Sequence, residues 1–389
     1  MPTESTFLFA GLLFIAAALG YVFARFGDTD EEDEAEQSTR ANFLRGFRYL
    51  LNEESDRAVD AITEASDLSD EAIDTQLALG TLFRRRGEMD RAIRLHQNLV
   101  DRPTSNVAQR EAASFALAED YLSAGLFDRA EEIFERLRDS RVHGVNALRR
   151  LLRICEVTSD WDRAVDLCAK LGRLDAGEII PAQLAHYYCE LAEAARRAGA
   201  AELAWQMLAQ AEASDPGKAR SALIRADLQL DAGQAGGAIE TLSALGAAQP
   251  GMLREILPRL FAAATVSGEH ARAQNVLERL AETPAGLRGI AMGIVCDPKI
   301  SDPQVVRYLE RFAAGEPALK SLVGHYGPDS LEAVERLRPL LQKVLNAGMQ
   351  FQCGNCGYAS MTMHWQCPGC RSWDTVRAVQ GAMLNGILS

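Results

Sequence analysis

One short motif returns through the middle of the chain at a nearly constant interval. Its four clearest copies are SDRAVDAI (55–62), MDRAIRLH (89–96), FDRAEEIF (127–134) and WDRAVDLC (161–168). Weaker copies follow, and one alanine in each copy defines the spacing. These alanines are Ala58, Ala92, Ala130, Ala164, Ala204, Ala238 and Ala273, which step by 34, 38, 34, 40, 34 and 35 residues. Such regularity indicates an array of structural repeats.

The residues around each copy indicate two helices joined by a tight turn. The upstream segment of several units is apolar and carries a small central residue, which lets two helices approach closely. These small residues are Gly46, Gly80, Ala118, Ala192 and Ala226. Glycines mark the turn inside five units, and prolines close the second helix of three. The glycines are Gly87, Gly125, Gly199, Gly233 and Gly268, and the prolines are Pro216, Pro250 and Pro284.

A 34-residue period of paired helices is typical of tetratricopeptide repeats. The turns recur too often for one long coiled coil, which is the alternative interpretation. We therefore predict an all-α tetratricopeptide-repeat superhelix over residues 38–285 and degenerate helical repeats over 286–347. In the second range, Gly289, Gly293 and Pro298 weaken the helical pattern over 287–301.

A solenoid of this kind buries a continuous core and exposes a concave groove, which predicts protein or peptide binding without built-in chemistry. The repeat pattern places arginines at groove-facing positions of first helices. They are Arg84, Arg85, Arg149, Arg153, Arg196 and Arg197. In a chain of net charge −13, a basic stripe would suit an acidic peptide. The alternative is that these are ordinary solvated arginines.

The N-terminal residues 1–25 are predicted to form a membrane anchor. The run FLFAGLLFIAAALGYVFA, at 7–24, is uncharged and spans about 27 Å as a helix, close to the apolar thickness of a bilayer. No Lys or Arg precedes it, which argues against a signal peptide. Arg25 follows it, which favours a single-pass protein with its bulk in the cytoplasm. Residues 26–37 are an acidic linker.

Four of the eight cysteines lie close together near the C-terminus, in the spacing C-x2-C, ten residues, C-x2-C. They are Cys353, Cys356, Cys367 and Cys370. Two such pairs supply four thiolates to one tetrahedral metal ion, and either zinc or iron accepts that set. A module this short, over 348–389, needs the metal to fold. Two disulfides are the alternative, although clustered thiols fit a reducing compartment better.

The other residues of this module suggest a small β fold. Met361 to Trp365 and Thr375 to Val379 read as short strands, and Tyr358, Trp365 and Trp373 as its apolar shell. The knuckles CxxCG and CPxC resemble those of rubredoxins. The ten-residue gap is shorter than in rubredoxins, however, and Arg371 replaces the usual glycine. These departures favour a structural, docking role over one-electron transfer.

The remaining cysteines are scattered through the helical region. Cys155 and Cys168 occupy apolar repeat positions and are predicted to be core residues, whereas Cys189 falls nearer a groove-facing position. Nothing in the chain matches a phosphate-binding loop, a dinucleotide fingerprint or a hydrolase motif, and a closed set of four thiolates disfavours metal-assisted hydrolysis. The acidic net charge argues against nucleic-acid binding. We therefore expect a non-enzymatic protein.

The order of anchor, repeats and tetracysteine module resembles the lipopolysaccharide assembly protein B family of Gram-negative bacteria. The sharpest parts of this resemblance are LGTLFRRRGEMDRAIRLHQNLV (79–100), YLSAGLFDRAEEIFERL (121–137), and CGNCGY with WQCPGCRSW between 353 and 373. Each motif alone is common, but their order is specific, and the resemblance covers nearly the whole chain.

The resemblance implies an inner-membrane adaptor that regulates lipopolysaccharide synthesis. Family members bring the deacetylase that commits precursor to lipid A to a membrane ATP-dependent metalloprotease, which degrades it. The family's metal ligands match the four clustered cysteines, and its customary metal, iron, is implied here by resemblance alone. Other lipopolysaccharide assembly or regulatory membrane proteins are further candidate partners, and a homodimer stays open. The alternatives are a rubredoxin-like redox protein and a scaffold for envelope-synthesis enzymes without a proteolytic role.

Overall fold

The computed structural model describes residues 70–102, 106–174, 179–296 and 351–378, together with residues 17, 21, 48, 49, 57, 307–309, 311 and 312. Several predicted segments lie mostly or entirely outside this part of the chain: the anchor, the acidic linker, the first repeat copy and the degenerate repeats. Within it, no helix combines the length and the apolar character that crossing a bilayer requires. The chain divides into two compact units, which meet between Thr158 and Ser159 in the sequence.

The first unit contains five described helices. They are α1 (Asp70–Arg85), α2 (Met89–Val100), α3 (Val107–Ser123), α4 (Phe127–Leu137) and α5 (Gly144–Thr158). Each helix packs against the next, and α1 also packs against α3. First helices of adjacent repeats therefore contact one another, as expected for tetratricopeptide repeats.

The second unit contains eight described helices and a small sheet. The helices are α6 (Trp161–Leu174), α7 (Ile179–Arg197), α8 (Ala201–Ser214), α9 (Ala219–Asp231), α10 (Ala235–Ala248), α11 (Leu253–Ser267), α12 (His270–Leu280) and α13 (Pro284–Cys296). First helices pack on first helices, α7 on α9 and α9 on α11. One apolar cluster runs from α9 to α13 without a break, so neighbouring repeats share their core.

The repeat alanines are the points of closest helix packing. Six of the seven lie in described helices, and all six are buried. They are Ala92, Ala130, Ala164, Ala204, Ala238 and Ala273. A methyl side chain leaves room for a facing helix, whereas a larger residue would overpack the core. This burial explains why the alanine is the most regular feature of the repeat.

The turn glycines have a conformational role. Gly87, Gly125, Gly199, Gly233 and Gly268 all adopt positive φ, between 70° and 83°. This left-handed conformation ends one helix and redirects the chain into the next at little steric cost to glycine. The prediction of these turns from the sequence is confirmed.

Glycine also permits close packing at the end of the array. A Cβ atom on Gly293 would lie 2.3 Å from Leu257 Cδ1, and one on Gly289 would lie 2.8 Å from Leu253 Cδ1. The helical pattern that these glycines made uncertain is a helix over Pro284–Cys296. The two glycines instead let α13 lie close against α11.

Candidate metal centre

Four sulfur atoms converge within residues 351–378. All four Sγ atoms lie within 4.8 Å of one another. Cys353 Sγ is 3.6 Å from Cys370 Sγ, and Cys356 Sγ is 3.7 Å from Cys367 Sγ. A tetrahedral ion with metal–sulfur bonds of about 2.3 Å separates its ligands by about 3.8 Å, whereas a disulfide requires about 2.05 Å. The donor set therefore fits one tetrathiolate ion and not two disulfides.

The same backbone turn holds each cysteine pair. The Gly357 N–H donates to the Cys353 carbonyl at 3.0 Å, and the Arg371 N–H donates to the Cys367 carbonyl at 2.7 Å. Gly357 has a φ of 75° and Arg371 a φ of 57°. Arg371 thus occupies the left-handed position that glycine fills in the first knuckle, at a cost of roughly 1–2 kcal/mol for a residue with a Cβ. This departure from rubredoxins adds local strain but preserves the knuckle.

Hydrogen bonds favour negative charge on two of the four sulfurs. A hydrogen bond with the Thr375 hydroxyl lowers the pKa of Cys353, and hydrogen bonds from Ser372 lower the pKa of Cys370 to about 5. The Tyr358 backbone N–H acts in the same direction on Cys356, but lost solvation and the neighbouring thiols raise its pKa to about 11. Four thiolates at this spacing therefore need a cation to offset their repulsion.

A three-stranded antiparallel sheet carries the knuckles. Its strands are β1 (Phe351–Cys353), β2 (Ala359–Ser360) and β3 (Val376–Ala378), in the order β2-β1-β3. The predicted strand over 375–379 is confirmed in β3. The predicted strand over 361–365 is wrong: the segment is irregular, and its Trp365 packs against the apolar cluster of the repeats while its Met363 packs against the module's own core.

Trp373 fixes the module to the repeat helices. Its ring stacks on His186 of α7, with centroids 4.6 Å apart and an interplanar angle of 18°. It also makes edge contacts with Tyr187 of α7 and Trp161 of α6, at 5.9 and 6.3 Å. The prediction that Trp373 and Trp365 form the module's own shell is wrong. The module's own apolar core consists of Phe351, Cys353, Cys367 and Val376, with Met363 and Cys370 packed against it. This core is too small to cover two indole rings.

Asp374 adds an ionic link beside this stack. Its carboxylate lies 2.9 Å from His186 Nε2 and pairs with Lys218, the residue preceding α9. Burial alone would raise the pKa of Asp374, but His186 and Lys218 outweigh burial and hold it at about 2. The charged carboxylate is therefore the form that stabilises the docked module.

Two arginines from the repeats complete the contact. Arg254 of α11 donates to the Met361 carbonyl at 3.1 Å and lies over the Phe351 ring. Arg220 of α9 lies between the rings of Trp365 and Trp373, about 6 Å from each centroid. Sequence reasoning favoured a docking role for the module but did not identify the residues of this surface, for which the tryptophans beside the knuckles are the available signal.

The cysteines of the repeats have structural surroundings. Cys155 and Cys168 are buried in the repeat core, as predicted. Cys189 is also buried, not groove-exposed, and its Sγ lies 3.5 Å from Ser221 Oγ. Burial raises the pKa of the Cys189 thiol to about 11, so it is inert at neutral pH.

The predicted groove arginines fall into two groups. Arg84 donates to Asp120 of the next first helix, Arg196 pairs with Asp231 and Asp227, and Arg153 lies 3.6 Å from Glu156. A second group, Arg85, Arg149 and Arg197, is solvent-exposed. Arg84 and Arg196 thus join neighbouring repeats, and binding of a partner by any of the six stays a prediction.

We predict that loss of one thiolate unfolds the module and releases the metal. Cys367→Ser should lower bound metal from about one ion per chain to near zero, because a structural site supplies most of the folding energy of so small a module. The measurement is metal content of the purified full chain by elemental analysis. Cys189→Ser is the matched control and should retain the metal, whereas a full complement in Cys367→Ser would contradict the tetrathiolate site.

We also predict that Asp374→Asn weakens docking by about 1 kcal/mol at pH 7, less than the full equivalent of its pKa shift because solvent screens a carboxylate that is 31% exposed. Asparagine tolerates the left-handed backbone of this position (φ 55°). Because the folded pKa is lowered, the stabilisation is complete above pH 4 and is lost as pH falls to about 2.

The Asp374→Asn variant is tested at neutral pH, because acid would also protonate the thiolates that bind the metal. The measurement is the free energy of unfolding of the second unit in urea, followed by tryptophan fluorescence. Asp215→Asn is the matched control, since Asp215 also pairs with Lys218 at 3.1 Å but belongs to the repeats and not to the module. Equal decreases in the free energy of unfolding in the Asp374→Asn and Asp215→Asn variants would show that Asp374 has no docking role.

Two segments match known families. Residues 351–378 match the family described as rubredoxin metal binding domain, and residues 77–108 match the tetratricopeptide repeat family. A solved tetratricopeptide repeat protein from Parabacteroides merdae covers 68% of this chain and 98% of its own length. It is 12% identical, and its TM-score of 0.34 is too low to support an argument.

Two curated proteins are similar to the chain over most of its length. Lipopolysaccharide assembly protein B of Escherichia coli K12 is 29% identical over 380 residues, and that of Haemophilus influenzae is 28% identical over 387 residues. Each alignment covers 95% of this chain and 97% of the relative. The chain is therefore similar to lipopolysaccharide assembly protein B over nearly its whole length, as its motifs predict.

Proposed function

We propose that the chain is a non-enzymatic inner-membrane adaptor that regulates lipopolysaccharide synthesis. The similarity to lipopolysaccharide assembly protein B over 95% of the chain supports this role. The paired helices of the repeats offer extended surfaces for protein partners. The four sulfurs form a closed ligand set, which suits a structural ion better than hydrolytic chemistry.

The finer proposal concerns proteolysis. The adaptor presents the deacetylase that commits precursor to lipid A to a membrane ATP-dependent metalloprotease, and other lipopolysaccharide assembly proteins are further partners. The predicted single-pass anchor leaves the bulk of the chain in the cytoplasm. Tethering would raise the effective concentration of the repeats for partners at the membrane.

The observation that carries the adaptor proposal is the docking of the metal module on the repeats. Trp373 and Asp374 join the module to α7 and to the residue before α9. The bound ion would therefore stabilise the shape of a binding surface formed by first helices. The metal, iron or zinc, has a structural task in this proposal.

One observation favours a second candidate, a rubredoxin-like redox protein. Cys356 is solvent-exposed, and an exposed ligand offers a short route for an electron to a docked partner. The purified protein would then be red, with visible absorption that is reversibly lost on reduction. A colourless zinc protein would exclude this function and leave the adaptor unaffected.

We predict that depletion of the protein lengthens the half-life of the deacetylase several-fold, because the protease loses its substrate adaptor. The measurement is a pulse-chase of the deacetylase in depleted cells and in cells that re-express the wild-type chain. An unchanged half-life would contradict the proteolytic proposal and favour a scaffold for envelope-synthesis enzymes.

The same cells test the groove arginines. Re-expression of the double variant Arg149→Glu, Arg153→Glu should fail to restore rapid degradation of the deacetylase if these two arginines bind an acidic segment of the deacetylase. The matched control, Arg136→Glu with Arg141→Glu, makes the same charge change at two exposed arginines of the first unit. Full restoration by the Arg149 and Arg153 variant would remove the groove hypothesis but not the adaptor.

A further inference from the structure

A pocket lies where the metal module meets the repeat helices. Its walls come from α7, α9 and α11 on one side and from Met363 and Trp365 of the module on the other. Its cavity volume is about 90 Å³, and it is partly open to solvent. Three first helices and the module therefore shape one concave site.

The charges of this pocket leave one carboxylate in excess. Arg220 of its wall pairs with Glu190 and Glu193, at 2.8 and 3.3 Å. Arg259 makes a two-pronged contact with Asp227, at 2.8 and 3.1 Å, and Arg196 lies 3.6 Å from the same carboxylate. Among the described residues, none forms an ion pair or hydrogen bond with the carboxylate of Glu255, which also lines the pocket. The unmatched charge of the pocket is negative, which favours a cationic ligand.

A second observation indicates what else the ligand must contain. The Arg220 side chain is 3% exposed, and its Nε and Nη1 atoms have no hydrogen-bond acceptor among the described residues. Buried donors without acceptors are costly, so a ligand that brings an acceptor would gain free energy. A simple cation brings none, whereas a residue of a polypeptide brings its backbone carbonyl.

We propose that this pocket binds a lysine or arginine residue of a partner polypeptide. The cationic side chain would lie near Glu255 and Glu193 and against the Trp365 ring, and its backbone carbonyl would accept from Arg220. An acidic residue is disfavoured because it would face the unmatched Glu255. The inference rests on the proposed adaptor function, since it names the chemistry of a partner segment.

The test uses the full-length protein labelled with 5-fluorotryptophan and fluorine NMR. The probe is N-acetyl-arginine amide, and the comparison probe is N-acetyl-citrulline amide, which has the same shape without the charge. Trp365→Phe assigns the Trp365 resonance, and Trp205, which does not line the pocket, is the internal reference. We expect arginine to shift the Trp365 resonance and citrulline to bind at least about tenfold more weakly.

Two variants make the test specific. Glu255→Gln should weaken binding of the arginine probe about tenfold, because it removes the unmatched charge. Glu132→Gln is the matched control, since Glu132 is 73% exposed in the first unit, and it should bind like wild type. Equal binding of arginine and citrulline, no shift at Trp365, preferential binding of N-acetyl-glutamate amide, or no effect of Glu255→Gln would each overturn the proposal. None of these outcomes bears on deacetylase turnover, so the adaptor function would stand or fall separately.

Discussion

The stacking of Trp373 on His186 is the contact on which the second unit's organisation depends. Trp373 lies three residues after Cys370, so the metal-bound knuckle sets its position. Beside it, Asp374 reaches Lys218, and Arg220 lies between the two indole rings of the module. A metal ion held by the four cysteines would thus act on helices that are far away in the sequence. Loss of the ion would free the tryptophan and leave Arg220 and His186 without their aromatic neighbours.

Several arginines of the described helices join one repeat to the next. Arg84 pairs with Asp120, Arg196 with Asp231, Arg259 with Asp227 and Arg272 with Glu240, each about one repeat away in the sequence. Exposed pairs of this kind contribute little individually, but Asp120 is fully buried and also contacts His96. The arginine-rich composition therefore has a structural explanation in the described helices. It also means that a basic residue on a first helix is not automatically available to a partner.

The sequence was most informative where one physical constraint acts locally. Gly87 and its equivalents require a left-handed backbone, Ala130 and its equivalents require close helix packing, and four cysteines at C-x2-C spacing require one ion. A docking role was expected from the sequence, but the pairing of Trp373 with His186 could not be predicted, because the two residues are far apart in the chain and no motif links them. The strand prediction at 361–365 failed for the same reason, since Trp365 of this segment packs against the repeats rather than against a sheet neighbour. The Glu255 pocket likewise depends on the packing of three helices and the module.

The central claim is that the bound metal stabilises the repeat helices through the docked module. Hydrogen–deuterium exchange of the full chain, with and without its metal, tests this claim most directly. The account predicts faster exchange in α7 and α9 after metal removal, together with full exchange in the module, and unchanged exchange in α1 to α4. Unchanged protection of α7 and α9 in the metal-free protein would contradict it.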